Sequence, residues 1–177
     1  MKIYTRMGDG GETSLPGGRR VSKTEAIFET LGNLDETNAA IGVAISFLRA
    51  TKFPIHQLHD IQSNLLAIGA CLASDNPREA KILKELDKLT DRFEAQIDQW
   101  DKQLPPLKNF ILPEGTSGAA SLHLCRTLVR RTERSYYLMA VDLVSVARYL
   151  NRLSDYFFQA ARYVNYLERH REQIWKL

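Results

Sequence analysis

A chain of 177 residues, 44% hydrophobic and 25% charged, is long enough to bury a core of its own, and we expect one domain spanning residues 1–177. With 24 Lys and Arg against 21 Asp and Glu, the formal net charge of +3 gives little basis for nucleic-acid binding by counterion release and suits a small anionic ligand better. Residues 1–6 lack an apolar stretch with a small-residue cleavage site, and the longest apolar run, Leu65 to Ala73, is too short to cross a bilayer, so a cytoplasmic protein without a membrane partner is expected.

Residues 1–22 hold five of the ten glycines and follow no sustained period of 2 or 3.6, which reads as an ordered loop or as a disordered tail. Ser22-Lys23-Thr24-Glu25 then reads as a capping box, and Ile27, Leu31, Leu34, Ile41 and Ile45 predict a first helix from about Lys23 to Arg49. Beyond Pro54, the spacing of Leu58, Ile61, Leu65, Ile68 and Leu72 predicts a second helix ending before Asp75. Asn76-Pro77 reads as the start of a third, carried by Ile82, Leu86, Leu89, Phe93 and Ile97, with charged faces turned to water, and ended by Leu104-Pro105-Pro106-Leu107. A fourth should run from Thr116 or Ser117 to about Met139, and a fifth from about Leu143 to Arg169 or on to the C-terminus. No strand of convincing length remains. The expected class is all-α, a four- or five-helix bundle, and a bundle alone names no function. Cys71 and Cys125 each fall among apolar helical neighbours and read as buried free thiols, which suit a reducing compartment.

Three stretches carry chemistry. In Tyr4-Thr5-Arg6-Met7-Gly8-Asp9-Gly10-Gly11-Glu12-Thr13-Ser14, glycines can turn N–H groups inward as an anion nest, hydroxyls add donors, and Arg6 and Lys23 can offset a polyphosphate. It is no Walker A loop, and a flexible tail is the competing reading. On the fourth helix Ala119, His123, Arg126, Arg130, Glu133 and Tyr137 share one face. That row is either a solvated, salt-bridged surface or a phosphate-binding one, since arginine suits forked contacts and Glu133 could take Mg²⁺. His123 is given no catalytic role. On the fifth helix Asn151, Asp155, Phe158, Arg162 and Asn165 form a largely polar stripe opposite an apolar face. On the first helix Gly32, Asp35, Ala39 and Gly42 make a narrow face of small residues. Asp35 and Asn38 stand among apolar neighbours, so partial burial is expected, with a helix-four arginine as the cation Asp35 requires.

Together these residues resemble the trimeric, propanediol-utilisation-type ATP:corrinoid adenosyltransferases. The resemblance runs through Tyr4-Thr5-Arg6 to Thr13, Arg20-Val21-Ser22-Lys23, Gly32-Asn33-Leu34-Asp35 to Gly42, Phe110-Ile111-Leu112-Pro113, Leu122-His123, Arg126 to Arg134, and Tyr149-Leu150-Asn151-Arg152-Leu153-Ser154-Asp155. It implies a five-helix bundle, ferritin-like in outline, with an N-terminal nucleotide loop over residues 1–22 and the bundle over 23–177. It also implies a homotrimer whose active sites lie between subunits. The implied reaction transfers the 5′-deoxyadenosyl group of ATP to cob(I)alamin, giving adenosylcobalamin and triphosphate by way of four-coordinate cob(II)alamin.

By position, the resemblance assigns Thr5, Arg6, Gly8, Asp9, Gly11, Thr13, Ser14 and Lys23 to ATP, with Arg130, Glu133, Arg134 and Asn151 on the helical side of the same site. Glu133 becomes the Mg²⁺ contact. Asp35 and Arg126 become a salt bridge across the subunit interface, and Phe110 becomes the aromatic ring on the lower face of the corrin. Asp35, Phe110, Arg126 and Arg130 are thus the implied catalytic set, and Phe110, Asp35 and Arg126 the corrinoid-binding one. ATP and cobalamin are the implied substrates, with a reductase and a B12-dependent acceptor enzyme as transient partners. Two departures stand out: Glu114-Gly115 where the family commonly has two glycines, and Thr37 where it frequently has Leu. A non-catalytic carrier or sensor of ATP or adenosylcobalamin, and a purely structural bundle, are the competing classes.

Overall fold

The computed structural model describes Tyr4, Arg6 and residues 8–176. Its described residues form five α-helices: α1 Ala26–Leu48, α2 His56–Leu72, α3 Leu83–Asp101, α4 Ser117–Leu138 and α5 Val144–Leu167. Two short strands, β1 Glu12–Ser14 and β2 Arg20–Ser22, precede them as an antiparallel hairpin in which Thr13 faces Val21.

The helices neighbour one another in the order α2, α1, α4, α5, α3. The central pairs are antiparallel. Thr37 shares a 3.1 Å hydroxyl hydrogen bond with Thr132, while near the other end of α1 the Leu48 side chain lies against Gly118. Between α4 and α5, Asn151 meets Glu133 and Val164 lies beside Gly118. One end of the bundle therefore gathers the hairpin, the last turns of α4 and the first turns of α5. The opposite end gathers the start of α4, the end of α5, the connection 102–116 and the C-terminal segment.

Residues recurring at helical spacing, among them Ile41, Leu122, Val129, Leu153 and Phe157, are shielded from solvent in one continuous core. Each such burial contributes about 1.5–3 kcal/mol relative to exposure. α3 adds an aromatic seam in which Phe93 and Trp100 pack against Tyr149, Tyr156 and Tyr163 with ring centroids 5.0–5.2 Å apart. Its outer face is charged, and Arg148 donates to Asp91 at 2.9 Å and Arg152 to Glu94 at 3.0 Å. These pairs are largely solvated, so they orient α3 more than they stabilise it.

The structure corrects the reading of the chain in three places. The first helix begins at Ala26, because Ser22 pairs with Glu12 in the hairpin and its hydroxyl turns to the Thr24 N–H at 3.2 Å rather than capping a helix. The hairpin itself escaped periodicity, since three-residue strands are too short to show alternation. Asn76-Pro77 opens only a 3₁₀ turn, Pro77–Glu79, before α3 starts six residues later. The fourth helix does start as expected, with the Thr116 hydroxyl accepting from the Ala119 N–H at 3.4 Å. Cys71 and Cys125 are buried free thiols, and burial pushes Cys125 up to about 12. No helix among the described residues is long and apolar enough to cross a membrane.

Candidate functional site

The hairpin is fastened to the bundle by a small apolar cluster in which Leu15, Val21 and Ala73 are buried against Ile27, Phe28 and Leu31. This anchorage ties the hairpin that follows the Gly-rich segment to the bundle. Lys23 closes the loop: its N–H donates to the Gly11 carbonyl at 2.9 Å, and a Cβ placed on Gly8 would lie 3.1 Å from its Nζ. Glycine at position 8 thus lets an ammonium rest against the loop backbone. Gly11 has a φ of 82°, and Arg6, with a φ of 61°, holds its guanidinium 5.4 Å from the Tyr4 ring centre. Asp9 and Ser14 are exposed and Thr13 is half-buried in the hairpin. Thr5 lies outside the described residues.

The α4 row runs from the core to the surface. Ala119 and His123 are buried, Arg126 and Glu133 are half-buried, and Arg130 and Arg134 are exposed. Glu133 Oε1 accepts from Asn151 Nδ2 at 2.9 Å, which brings these two predicted nucleotide residues together, and Oε2 has no partner among the described residues. Arg134 donates to the Arg130 carbonyl at 3.1 Å. The Arg130 guanidinium makes no hydrogen bond or ion pair among the described residues, as a side chain facing an external anion would. Among the described residues no group of three His, Cys, Asp or Glu side chains converges there to cage a metal. A single carboxylate still fits a Mg²⁺ that takes its other ligands from phosphate and water.

Asp35 is exposed, contrary to the partial burial expected from its neighbours. Leu34, Thr37 and Ile41 point into the bundle, and at about 100° per residue Asp35 turns away from them, onto a shallow hollow that it shares with Asn38, His59 and Gln62. Asn38 is half-buried, as expected, and donates to the Gln62 carbonyl at 3.3 Å. Asp35 and Arg126 do not pair within the chain. Arg126 Nε is buried without a partner, and burial, then the charge of Arg130, lowers the Arg126 pKa. Gly32, Ala39, Gly42, Val43 and Phe47 are exposed as well, so the small-residue face of α1, which borders α2 at Ala39 and Gly42, is left open to solvent.

Both ring nitrogens of His123 are buried without hydrogen bonds, beside Phe158. Burial, followed by the charge of Arg126, lowers its pKa from 6.5 to about 4. The imidazole is therefore neutral in the folded chain. As pH falls from about 6.5 toward 4 the unfolded chain takes up a proton that the folded chain refuses, so this residue contributes a loss of stability across that window. We expect His123→Leu to narrow that acid-side loss, seen as a smaller change in urea midpoint between pH 7 and pH 4.5 than in the parent. An equal change in both would contradict it.

Phe110 is 80% exposed. Its ring stands edge-on to Trp175 with centroids 6.4 Å apart, and its carbonyl accepts from the Trp175 N–H at 2.9 Å. The C-terminal segment that makes this contact was not anticipated. The only signal for it was the polar pair Arg162 and Asn165 on an otherwise apolar stretch of α5. Glu114 is exposed, while Gly115 has a φ of 132° and a Cβ there would overlap the Asn165 amide, so the glycine kept from the usual pair is the one the backbone requires.

The residues that the resemblance assigns to the nucleotide lie at the opposite end of the bundle from Phe110. Along α5, Asn151 and Asn165 are separated by about 21 Å at 1.5 Å per residue. In the comparisons with known proteins, the family model for cobalamin adenosyltransferase matches residues 3–164. The chain is 38% identical over 187 residues to the corrinoid adenosyltransferase of Bos taurus, covering 99% of this chain and 76% of that one. It is 42% identical over 173 residues to the corrinoid adenosyltransferase of Mycobacterium bovis, covering 93% and 89%. Among solved structures, a variant of a PduO-type ATP:corrinoid adenosyltransferase from Lactobacillus reuteri, complexed with cobalamin and ATP, superposes with a TM-score of 0.93 at 35% identity, covering 99% of this chain and all of that one. A chain matched by the family model over most of its length, and by relatives of this identity over nearly all of it, belongs to the cobalamin adenosyltransferase family.

Proposed function

We propose that this protein transfers the 5′-deoxyadenosyl group of ATP to the cobalt of cob(I)alamin, releasing triphosphate. The observation that carries the reading is Phe110, an aromatic ring left 80% exposed on a loop whose backbone is hydrogen-bonded to the C-terminal segment. With the exposed Trp175 against it and the exposed Leu112 two residues on, the ring forms an apolar patch, and the flat face of a corrin fits it.

In the proposed reaction the Co(I) electron pair forms the Co–C bond to C5′ while the C5′–O bond breaks and its electrons leave with triphosphate. Cobalt is formally oxidised to Co(III), and no protein nucleophile is needed. The chain supplies placement and charge. Arg6, Lys23 and the loop backbone from Gly8 to Ser14 hold the phosphates from one side, with Asp9, Thr13 and, in sequence, Thr5 among the loop's donors and acceptors. Arg130, Arg134 and Asn151 hold them from the other, and the charge developing on triphosphate is met by fixed cations. Glu133, with one carboxylate oxygen free, is the residue that would hold Mg²⁺, whose charge offsets that of the polyphosphate. Phe110 lies beneath the corrin, where it displaces the lower axial ligand and leaves a four-coordinate cob(II)alamin that is easier to reduce.

The active site lies between copies of the chain, and the assembly is a homotrimer of single-domain subunits. Three features support a site between copies, while the number three rests on the family resemblance: the exposed small-residue face of α1, the Arg126 Nε unpartnered among the described residues, and the separation of the two half-sites along α5. Asp35 of one copy then pairs with Arg126 of the next. The protein works in the cytoplasm, where its free thiols remain reduced, receiving electrons through a reductase and delivering its product to a B12-dependent enzyme.

The nucleotide half-site is tested by Arg130→Ala and Lys23→Ala. Each removes one charge-assisted phosphate contact at an exposed position, a loss of about 1.5 kcal/mol, so the ATP concentration for half-maximal turnover should rise about tenfold in each. Helical content and oligomeric state should not change. ATP dependence unchanged in both variants would remove these residues from the site.

A further inference from the structure

The last turns of α5 bury two polar side chains for which an apolar core has no use. Arg162 is 2% exposed and Asn165 1%. A buried guanidinium persists only where its donors are met, and Arg162 meets them in two separate segments. Its Nη2 donates to the Pro105 carbonyl at 2.8 Å, at the start of the loop that carries Phe110, and its Nε donates to Glu172 Oε1 at 3.0 Å, in the C-terminal segment. Asn165 grips the far end of the same loop, accepting from the Thr116 N–H at 3.1 Å and donating to the Glu114 carbonyl at 3.2 Å.

The C-terminal segment is turned back toward the loop by a defined cap. Arg169 takes a φ of 56°, a conformation usually left to glycine, while its N–H bonds the Tyr166 carbonyl at 3.1 Å and the His170 N–H bonds the Asn165 carbonyl at 2.8 Å. Beyond Glu172 the segment runs along the loop as a strap. The Leu112 N–H donates to the Gln173 carbonyl at 2.9 Å, Ile111 pairs with Ile174, and the Trp175 N–H donates to the Phe110 carbonyl at 2.9 Å. Nothing in the loop itself holds Phe110 in place, since residues 105–110 are exposed and form no regular element.

We infer that Arg162 is a positioning residue: by holding Pro105 and Glu172 at once, it locks the C-terminal strap to the loop and so fixes the Phe110 ring where it meets the corrin. The inference rests on the reading of Phe110 given above. Arginine suits the position because its planar guanidinium holds the Nε and Nη2 donors apart in fixed directions, toward Glu172 and Pro105, whereas a lysine ammonium gathers its three donors on one atom. Phe110 acts on the substrate, and Arg162 acts only through the strap and the loop.

Two variants test it, Arg162→Lys in the buried half of the lock and Glu172→Ala in its more accessible half, with Phe110→Ala and the parent alongside. The first readout is amide hydrogen exchange at Leu112 and Trp175 in the full-length protein without ligands. Both amides should exchange at least tenfold faster in the two lock variants, while amides in the middle of α4 keep the parent rate. The second is the fraction of four-coordinate cob(II)alamin seen by electron paramagnetic resonance with MgATP, which should fall at least fivefold in both while ATP affinity stays within twofold. Parent-like exchange at Leu112 and Trp175 in both variants overturns the lock. Faster exchange with an unchanged four-coordinate fraction overturns its positioning role. A Phe110→Ala protein that keeps the parent's four-coordinate signal, or a parent that shows none, sinks the corrin reading instead, and exchange then still decides whether Arg162 locks the strap. If Arg162→Lys fails to fold, Glu172→Ala carries both readouts.

Discussion

Phe110→Ala is expected to lower adenosyl transfer by about 100-fold, equivalent to about 2.7 kcal/mol of transition-state stabilisation, while the protein remains folded and binds ATP normally. The stability half of that expectation follows from the exposure of the ring, and the activity half from its proposed contact with the corrin. Removing a buried Phe ordinarily destabilises a protein by about 3–5 kcal/mol, but this ring is 80% exposed and its contact with Trp175 is a single edge-on approach. Loss of the ring should therefore shift the urea midpoint little. The chemical effect should be large if the ring has the proposed place beneath the corrin, because its loss would then let the lower axial ligand return to cobalt at the expense of four-coordinate cob(II)alamin. Electron paramagnetic resonance of cob(II)alamin bound with MgATP reads the coordination number directly. A variant that loses stability instead, and keeps its four-coordinate signal, would show that Phe110 is a packing residue.

The second large effect is expected at the proposed contact between copies. Arg126 holds a buried, unpartnered Nε inside its own chain and Asp35 offers an exposed carboxylate from α1. Joining them across an interface would satisfy the first and shield the second. Breaking one partner of such a pair leaves the other buried and uncompensated, at a cost of about 3–5 kcal/mol if water stays out. We expect Asp35→Asn and Arg126→Met each to weaken cobalamin handling more than ATP binding, and the double variant to be no worse than the poorer single one. A double-mutant cycle on cobalamin affinity measures this. Strictly additive effects would mean that the two side chains do not interact.

The parts of the molecule legible from sequence were those governed by long periodic patterns. Helix-length apolar repeats placed α2, α4 and α5 to within a few residues, and Thr116 announced the cap of α4 by residue type and position. The hairpin was missed because each strand spans three residues and its anchorage depends on Ala73, which is remote in sequence. Asp35 was misjudged for a related reason. Its apolar neighbours on α1 describe the helix's inner face, and a one-residue step leaves that face altogether. Residue types suggested which groups could bind phosphate, and the structure added the Glu133–Asn151 contact and the place of Lys23 against the loop. The lock at the end of α5 was illegible. Arg162 and Asn165 were visible as polar residues on an apolar helix, but Glu172 and the carbonyl of Pro105 become their partners only through a chain reversal at Arg169.

The central claim is adenosyl transfer from ATP to cobalt, and the stoichiometry of its two products tests it most directly. The protein is mixed with MgATP and cob(I)alamin under reductant, the light-sensitive alkylcobalamin is followed by its spectrum, and the phosphate products are separated. One equivalent of intact triphosphate is expected for each adenosylcobalamin formed, with neither product appearing when cob(I)alamin or ATP is left out. Tight ATP and cobalamin binding without an alkylcobalamin would describe a carrier, and release of phosphate or diphosphate in place of triphosphate would mean that bond breaking occurs within the polyphosphate chain. Either result would contradict the account.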